Sequence, residues 1–535
     1  MIPSQKKILF IVPPITMAEA YGDFEDAGNL LPFQGILGLA ALTREKGYDT
    51  YFIDALVERM TQDQLIERIK AIKPDYVGLT ATTMMIHKSA VLSGHIKNEF
   101  PNCKIFIGGS HISQVPIETF ETYSEFDVGV VGEGEETLLE LLDYFDKDGL
   151  CNNELHDIDG IVFKNKNGDV AKTTTRELVT DLDQYPLPAY DLLPQPIKKY
   201  YQTSTDNVKR FPAVGLIVTR GCPLKCKFCY LSVDPRLRRP RWLSIDRIIE
   251  LIELLVNEHG IKEIVFLDDN LLAQKKKLRE LCEKIIERKI DLTWSCLGSG
   301  NFGTEEIFRL MKKAGCWQIS WGFEHVSDEI LQLMDKNIIS KKMQETIKIS
   351  KKAGIASRLF LIHGYFGETL DTINENREAL LSLPVSEMHL TYFMPLPGTL
   401  AFDEVEKYGS WSESFPHKDN AKAWQQYGFF NKPIFIPKGL NEEILEESMD
   451  QMYKEFYFRA RIFSYFLYKM IRHPSTFTRL ALTAVKFINI YASKRTDGYR
   501  PSRDFMEEDN ARTSTSVLLN GVDKATKSRK FKSLV

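Results

Sequence analysis

Cysteine is scarce: the chain has eight in 535 residues. Five of them (Cys103, Cys151, Cys282, Cys296 and Cys316) stand alone. That scatter is unlike the disulfide framework of a secreted protein and points to a reducing cytoplasm. Long apolar runs are also missing. No stretch reaches the roughly 18 apolar residues of a membrane span, so no transmembrane helix is expected. The opening MIPSQKKILFIVPP holds an apolar run of only five residues, Ile8 to Val12, with no small-residue cleavage site behind it. It reads as a buried first strand rather than a signal peptide. A charge surplus is lacking too: 69 Lys and Arg stand against 73 Asp and Glu, a net charge of −4. That near-balance argues against bulk nucleic-acid binding, and no nucleic-acid partner is expected. There is no internal repeat.

What is present is globular: 43% hydrophobic and 27% charged residues, in a chain too long for one core. Residues 1–145 alternate apolar runs (7–13, 48–54, 75–81, 103–109, 126–132) with amphipathic stretches such as Thr61 to Ile72 and Lys88 to Glu99. Continuous apolar strands between helices imply an α/β, doubly wound parallel sheet covered on both faces. Ligands of such sheets bind beyond the strands' carboxyl ends. The loops there are Pro13-Pro14, Thr80 to Thr83, Gly108-Gly109-Ser110-His111 and Gly132-Glu133-Gly134-Glu135. Glycine and small hydroxyl side chains let a bulky ligand approach the backbone, and plain turn chemistry explains them equally well. His87 and His111 read as loop or packing residues rather than metal ligands.

Residues 146–212 read as a connector, with a hairpin turning at Asn167-Gly168 and then DLDQYPLPAYDLLPQP, four prolines in sixteen residues. From 213 to 430 six strands alternate with helices (213–219, 263–268, 291–296, 318–323, 357–362, 388–393), which suggests a barrel or an open part of one. Its helical patterns include Ile245 to His259 and Lys276 to Arg288. Residues 431–499 are helical, with basic and aromatic residues interleaved. They read as a cap packed on the barrel, with a face for a membrane surface or a lipid-like substrate as the sharper alternative. The polar stretch 500–535 reads as a disordered tail.

The three remaining cysteines lie within eight positions: RGCPLKCKFC holds Cys222, Cys226 and Cys229, directly behind the first barrel strand. A structural zinc site calls for four ligands in two pairs, and neither a second pair nor a histidine is nearby. A dithiol redox motif needs two cysteines. Three thiolates in one short loop suit three corners of a [4Fe–4S] cluster, leaving one iron open to a small chelating molecule.

Cys222-x3-Cys226-x2-Cys229, with Phe228 inside and Tyr230 behind, resembles the signature of the radical S-adenosylmethionine (SAM) superfamily. The resemblance implies a partial (β/α)6 barrel whose open iron chelates the amino and carboxylate groups of SAM and cleaves it reductively. It also implies contacts to SAM from successive strand ends. FLDDN (266–270), with Asp268, Asp269 and Asn270, stands where the family's Gly-Gly-Glu-type segment meets the SAM amino group; capping the next helix is the alternative. Glu324 in WGFEHVSDEIL, Ser295 ending the third strand, Arg358 opening the fifth, and Pro395 in FMPLPGT on the adenine side complete the set, with Tyr230. IHGYFGE (362–368) resembles the family's glycine-rich turn; His363 reads as structural more readily than as a substrate contact.

The N-terminal region resembles the cobalamin-binding domains fused to such barrels, through PPITMAEAYGDFEDAGNLLPFQG, VGLTATT, IFIGGSHISQVP and VVGEGEETLLELL. The resemblance covers about 1–440, in the class of the anaerobic magnesium-protoporphyrin monomethyl ester cyclase and cobalamin-dependent methyltransferases. It implies that Pro13, Thr80, Thr82, Thr83, Gly108, Gly109, Glu133 and Gly134 border the corrin. The Asp-x-His-x-x-Gly motif is absent, so no protein histidine on the cobalt is expected.

The expected activity is therefore methylation of an unactivated carbon in a small or apolar substrate, with the [4Fe–4S] cluster, SAM and cobalamin as cofactors and a reductant such as flavodoxin or ferredoxin. An oxidoreductase or cyclase with the same cofactors is the alternative. A non-catalytic corrin-binding or redox-sensing protein is the third reading. Peripheral membrane contact through the C-terminal region is the further partner expectation.

Overall fold

The computed structural model describes residues 5–16, 19, 30–147, 154–194, 200, 208–427 and 432–472. The expected tail 500–535 and the end of the helical region, 473–499, lie outside them.

The first sheet is built from β1 (Lys7–Val12), β2 (Asp49–Asp54), β3 (Tyr76–Thr80), β4 (Lys104–Gly108), β5 (Val128–Val130), β6 (Ile161–Lys164) and β7 (Val170–Lys172), in the order β2-β1-β3-β4-β5-β6-β7. Its first five strands are parallel. Helices α1 (Gln34–Glu45), α2 (Gln62–Ile72), α3 (Ile86–Glu99) and α4 (Glu135–Asp146) join them. Ile8 to Val12 are buried to 1% exposure or less, as strands packed on both faces require. Local chemistry sets the helix starts: Thr61 and Gln64 form a reciprocal capping box at α2.

The hairpin that reads as part of a connector belongs to this sheet. β6 pairs antiparallel with β5, and β7 with β6. Its turn is held by Asn165, whose Oδ1 accepts from the N–H groups of Asn167 and Asp169 (2.9 and 3.0 Å). At the junction Gly129 has no room for a side chain: a Cβ there would lie 2.5 Å from Val162 Cγ1 and 2.7 Å from Phe120 Cε2.

The second sheet contains β8 (Ala213–Leu216), β11 (Glu263–Phe266), β12 (Thr293–Gly298), β13 (Cys316–Glu324), β14 (Ala356–His363) and β15 (Glu387–Tyr392); the two-residue strands β9 (Thr219–Arg220) and β10 (Arg241–Trp242) pair with each other. All six long strands are parallel, in the order β15-β14-β13-β12-β11-β8, so the sheet is an open partial barrel. The helices α5 (Ile245–Asn257), α6 (Lys275–Glu287), α7 (Glu305–Lys313), α8 (Ser340–Lys352) and α9 (Leu370–Ser382) connect its strands. Trp321 packs edge-on against Phe308 of α7, and Trp294 Nε1 donates to Ala314 O at 2.8 Å. These side chains point outward, so their neighbours Ser295, Leu297, Ser320 and Gly322 point into the barrel.

Both free edges of this sheet are closed by side chains. At β8 the Gln34 amide acts as a strand partner, accepting from Ile217 N (2.6 Å) and donating to Ile217 O (2.7 Å). At β15, Tyr457 and Tyr453 of α10 (Glu442–Tyr457) each accept from and donate to one residue's backbone, Met388 (3.3 and 2.9 Å) and Leu390 (3.2 and 2.9 Å). The last helix among the described residues, α11 (Ala460–Arg472), follows.

Candidate active site

The cysteine loop leaves β9 through Gly221, whose φ is 101° and where a Cβ would lie 2.2 Å from Leu237 O. Only glycine fits there. Main-chain bonds then fix the loop: Cys222 N to Leu237 O (3.0 Å), Lys227 N to Met334 O (2.9 Å), Cys229 N to Cys226 O (3.0 Å) and Ala401 N to Lys227 O (3.1 Å). Cys222 and Cys226 are buried and Cys229 is half-buried. Burial pushes the thiols up, Cys226 to about 11 and Cys229 to about 12, and Cys229 also feels charge on Cys226 and Cys222. Among the described residues no three His, Cys, Asp or Glu side chains converge tightly enough for a single ion. A cubane takes each thiolate at a different iron, and three thiols on one short loop match that donor set.

Beside them, Asp268 is fully buried. Its Oδ1 accepts from Val218 N (2.8 Å) and Thr219 N (2.5 Å), while Oδ2 has no partner. Burial pushes this carboxyl up to about 7. Asn270 is 5% exposed, lies next to Cys222, and leaves both amide atoms unpartnered. Tyr230 OH reaches Asp269 at 3.3 Å. Orphaned polar atoms at this depth are costly unless a polar ligand meets them. A molecule with an ammonium and a carboxylate fits that need.

Glu324 ends β13 at a bulge with φ 60°. Its Oε1 accepts from Lys336 Nζ (2.6 Å), which also donates to Gly322 O (2.8 Å). Lys336 is 3% exposed and its charge is felt at Cys226 and Cys222. Sequence reading missed it: the only signal is a lysine three residues beyond the short helix Asp328–Leu333. Gly322 makes room for the pair, since a Cβ there would lie 2.7 Å from Glu324 Oε1. Beneath it Glu368 is enclosed by His325 (3.1 Å) and His363 (3.4 Å), which hold its carboxyl down at about 2. His363 also meets Ser448 Oγ at 2.8 Å, a structural role.

One expected position differs. The third strand runs on to Gly298, so Ser295 lies mid-strand, opposite Val265 and Gln318. The hydroxyl past the strand end is Ser299, 4% exposed with Oγ unpartnered. Arg358 opens β14 as expected, which puts it at the strand's amino end, the end opposite the cysteine loop. It donates to Glu387 (3.0 and 2.5 Å), beside Gln318, in a polar belt with Glu263, Thr293 and Trp317 that closes the barrel's floor. Pro395 lies in the loop after β15, where its carbonyl accepts from Tyr427 OH (2.8 Å). That loop meets the first sheet's side of the molecule: a Cβ on Gly398 would lie 2.8 Å from Gln114 O.

At the carboxyl edge of the first sheet the structure gathers the loops after β1, β3 and β4. Pro13 O accepts from Ile15 N (2.9 Å), and Ala81 N, just after Thr80, bonds Gly108 O (2.9 Å). Gly109 has φ 103°, and a Cβ there would lie 2.6 Å from Ala81 O. Thr83 Oγ1 meets His111 Nδ1 (3.2 Å). His111, fully buried against Trp424, is pushed down to about 3 by desolvation. Thr82 Oγ1, His111 Nε2 and Gln114 Oε1 lack partners. Gly134 starts α4, its carbonyl accepting from Leu138 N (2.8 Å). Glu133 is instead held by Arg220 (3.3 Å) and Arg241 (2.9 Å), and Arg220 also pairs with Glu135, so this loop clasps the arginines flanking the cysteine loop. The donors present at this edge fit a large polar ligand.

The sequence profile of the radical SAM superfamily matches residues 216–380, and that of the B12 binding domain matches residues 24–142. The chain is 30% identical over 459 residues to an uncharacterized methyltransferase of Pyrococcus horikoshii, covering 85% of this chain and 93% of the relative. It is 26% identical to the anaerobic magnesium-protoporphyrin IX monomethyl ester cyclase of Rubrivivax gelatinosus over 86% of this chain and 79% of that one. The fold is shared with the radical SAM methyltransferase TsrM from Kitasatospora setae (TM-score 0.66, 14% identity, 84% of this chain and 91% of that chain). It is shared as well with the cobalamin-dependent radical SAM enzyme OxsB (TM-score 0.66, 16% identity, 99% and 82%). With the cysteine loop at the mouth of a six-stranded partial barrel and a B12-type sheet ahead of it, this chain belongs to the radical SAM superfamily, in the class whose members carry a cobalamin-binding domain.

Proposed function

We propose that this enzyme methylates an unactivated carbon of a small, largely apolar substrate held in the barrel. The observation that carries this reading is the barrel's inner face. Leu267, Leu297, Phe360 and Ile362 point inward and remain only partly buried, and Ile217 is 40% exposed, while the outward residues of the same strands are sealed. Exposed apolar side chains inside a concave wall suit an apolar ligand. The methyltransferase relative from Pyrococcus horikoshii supports the reaction class.

When bound, the cluster with SAM supplies hydrogen abstraction, and cobalamin supplies the methyl group. In this reading Cys222, Cys226 and Cys229 hold the cluster. Asp268, Asn270, Ser299, Glu324 and Lys336 offer the carboxylates, amide, hydroxyl and ammonium that orient the polar end of SAM. Tyr230 and Asp269 border it, and the Pro395 loop lines the adenine side. Pro13, Thr80, Thr82, Thr83, Gly108, Gly109 and Gly134 border the corrin. A low-potential donor of the flavodoxin or ferredoxin kind supplies electrons.

The cyclase relatives favour a second reading, oxidation or ring closure without methyl transfer. One anaerobic assay separates them: reconstituted protein with cobalamin, reductant, SAM and a small-molecule extract, followed by mass spectrometry. Methylation predicts 5′-deoxyadenosine and S-adenosylhomocysteine rising together with a methyl-shifted compound. Deoxyadenosine rising alone with a new product would replace methylation by cyclisation or oxidation.

A further inference from the structure

The helix α11 is apolar on two opposite faces. One is committed to the protein: Ile462 is 1% exposed, Phe466 packs on the core, and Tyr465 OH reaches Glu387 at 3.2 Å. Arg459 and Arg461 fasten the start of the helix to the carbonyls of Leu381 (2.7 Å) and Leu383 (3.4 Å). The helix therefore cannot roll to hide its other side. That side carries Phe463, Leu467 and Ile471, at i, i+4 and i+8, exposed by 67%, 43% and 72%. Phe458, at the turn before it, is 59% exposed. Four large apolar side chains this exposed on one short segment mark an interaction surface rather than ordinary scatter.

Charge identifies the partner. From Phe456 to Thr496 the sequence has eight Lys and Arg and not one Asp or Glu, although the chain as a whole carries a net charge of −4. Six of those cations (Lys469, Arg472, Arg479, Lys486, Lys494 and Arg495) follow the anchored start of α11. An exposed apolar helix face within an acid-free basic stretch has the chemistry of an interfacial helix on anionic lipid. No helix among the described residues is long and apolar enough to cross a membrane, so the contact lies along the surface. We propose that α11 docks this enzyme onto an anionic phospholipid surface, with Phe463, Leu467 and Ile471 entering the headgroup–acyl boundary.

The test is vesicle flotation of the full chain. One set of vesicles is phosphatidylcholine alone and another contains about 30% phosphatidylglycerol. The chain is expected to float with the anionic vesicles only, and to release in about 0.5 M salt, where screening shortens the reach of charge. The variant Phe463→Ser/Leu467→Ser/Ile471→Ser, altered only at exposed positions, is expected to bind at least about tenfold more weakly with an unchanged melting profile. Light scattering is run on both proteins without lipid. Absence of flotation by the natural chain, equal flotation of the triple variant, or equal binding to neutral vesicles overturns the proposal. So does a dimer that the triple variant dissociates, which would assign the stripe to a second copy of the chain.

Discussion

The two parallel sheets are built by opposite rules. In the first, covered by helices on both faces, the strands are nearly continuous apolar runs, and Asp54 is their one buried charged group. In the second, alternate residues face a lumen, and the strands carry Glu263, Gln318, Glu324, Arg358, His363 and Glu387 in buried positions. Within the strands these polar groups are mostly paired, Glu324 with Lys336 and His363 with Ser448 at the carboxyl ends among them. At the amino ends Glu263, Thr293, Arg358 and Glu387 satisfy one another, with the Gln318 carbonyl oxygen the exception. At the carboxyl ends Asp268 Oδ2, both Asn270 amide atoms and Ser299 Oγ are left without partners. The unpartnered polar atoms at the barrel's mouth are thus the ones left for a ligand to meet.

The largest break in this comparison comes at the cluster. Serine in place of Cys222, Cys226 or Cys229 is expected to abolish SAM cleavage, since the hydroxyl is a poor replacement for a thiolate on iron. Iron analysis and a deoxyadenosine assay check it, and a serine variant that still forms deoxyadenosine refutes the assignment. Next comes the barrel's floor. Glu387→Gln removes one partner of a buried ion pair and should cost about 3–5 kcal/mol in a denaturation measurement. The double variant Arg358→Met/Glu387→Leu should recover most of that loss, and both should still cleave SAM at low temperature. Loss of cleavage in the well-folded double variant would place Arg358 in the chemistry after all.

The smallest effect is a pH dependence confined to the first sheet. Burial pushes Asp54 up to about 6, even though Val57 N (3.0 Å) and Tyr200 OH (2.7 Å) donate to it. The folded chain therefore holds this proton more tightly than the unfolded chain. The resulting stabilisation is complete below about pH 4 and is lost as pH rises through about 6. Relative to Asp54→Asn, the natural chain should lose up to roughly 3 kcal/mol between pH 4 and pH 7. Parallel slopes for the two proteins would show that Asp54 is solvated.

Much of this was legible in the sequence: the cysteine loop by its spacing, both sheets by their alternation, and the B12-type edge by its glycine and threonine loops. What escaped depended on partners distant along the chain. Arg358, which opens the fifth strand, was carried to the site by the family resemblance, and only its pairing with Glu387 shows that it serves the barrel's floor. Ser295 and Ser299 differ only in where β12 stops, and the Leu297-Gly298 pair carries the strand past the expected boundary. Glu133 was read as bordering the corrin because its partners Arg220 and Arg241 lie far along the chain, the latter 108 residues away. Lys336 was missed because an isolated lysine after a helix carries no motif, and only the bulge at Gly322 and Glu324 makes room for it.

Gln34 fastens the first sheet's side of the molecule to the barrel edge by bonding the main chain of Ile217 and ignoring its side chain. The joint therefore asks only for a main-chain N–H at 217, which every residue but proline supplies. Its side chain, 40% exposed, is at liberty to change from one lineage to the next. A change of side chain there alters that part of the barrel wall and leaves the seam to the first sheet's side intact.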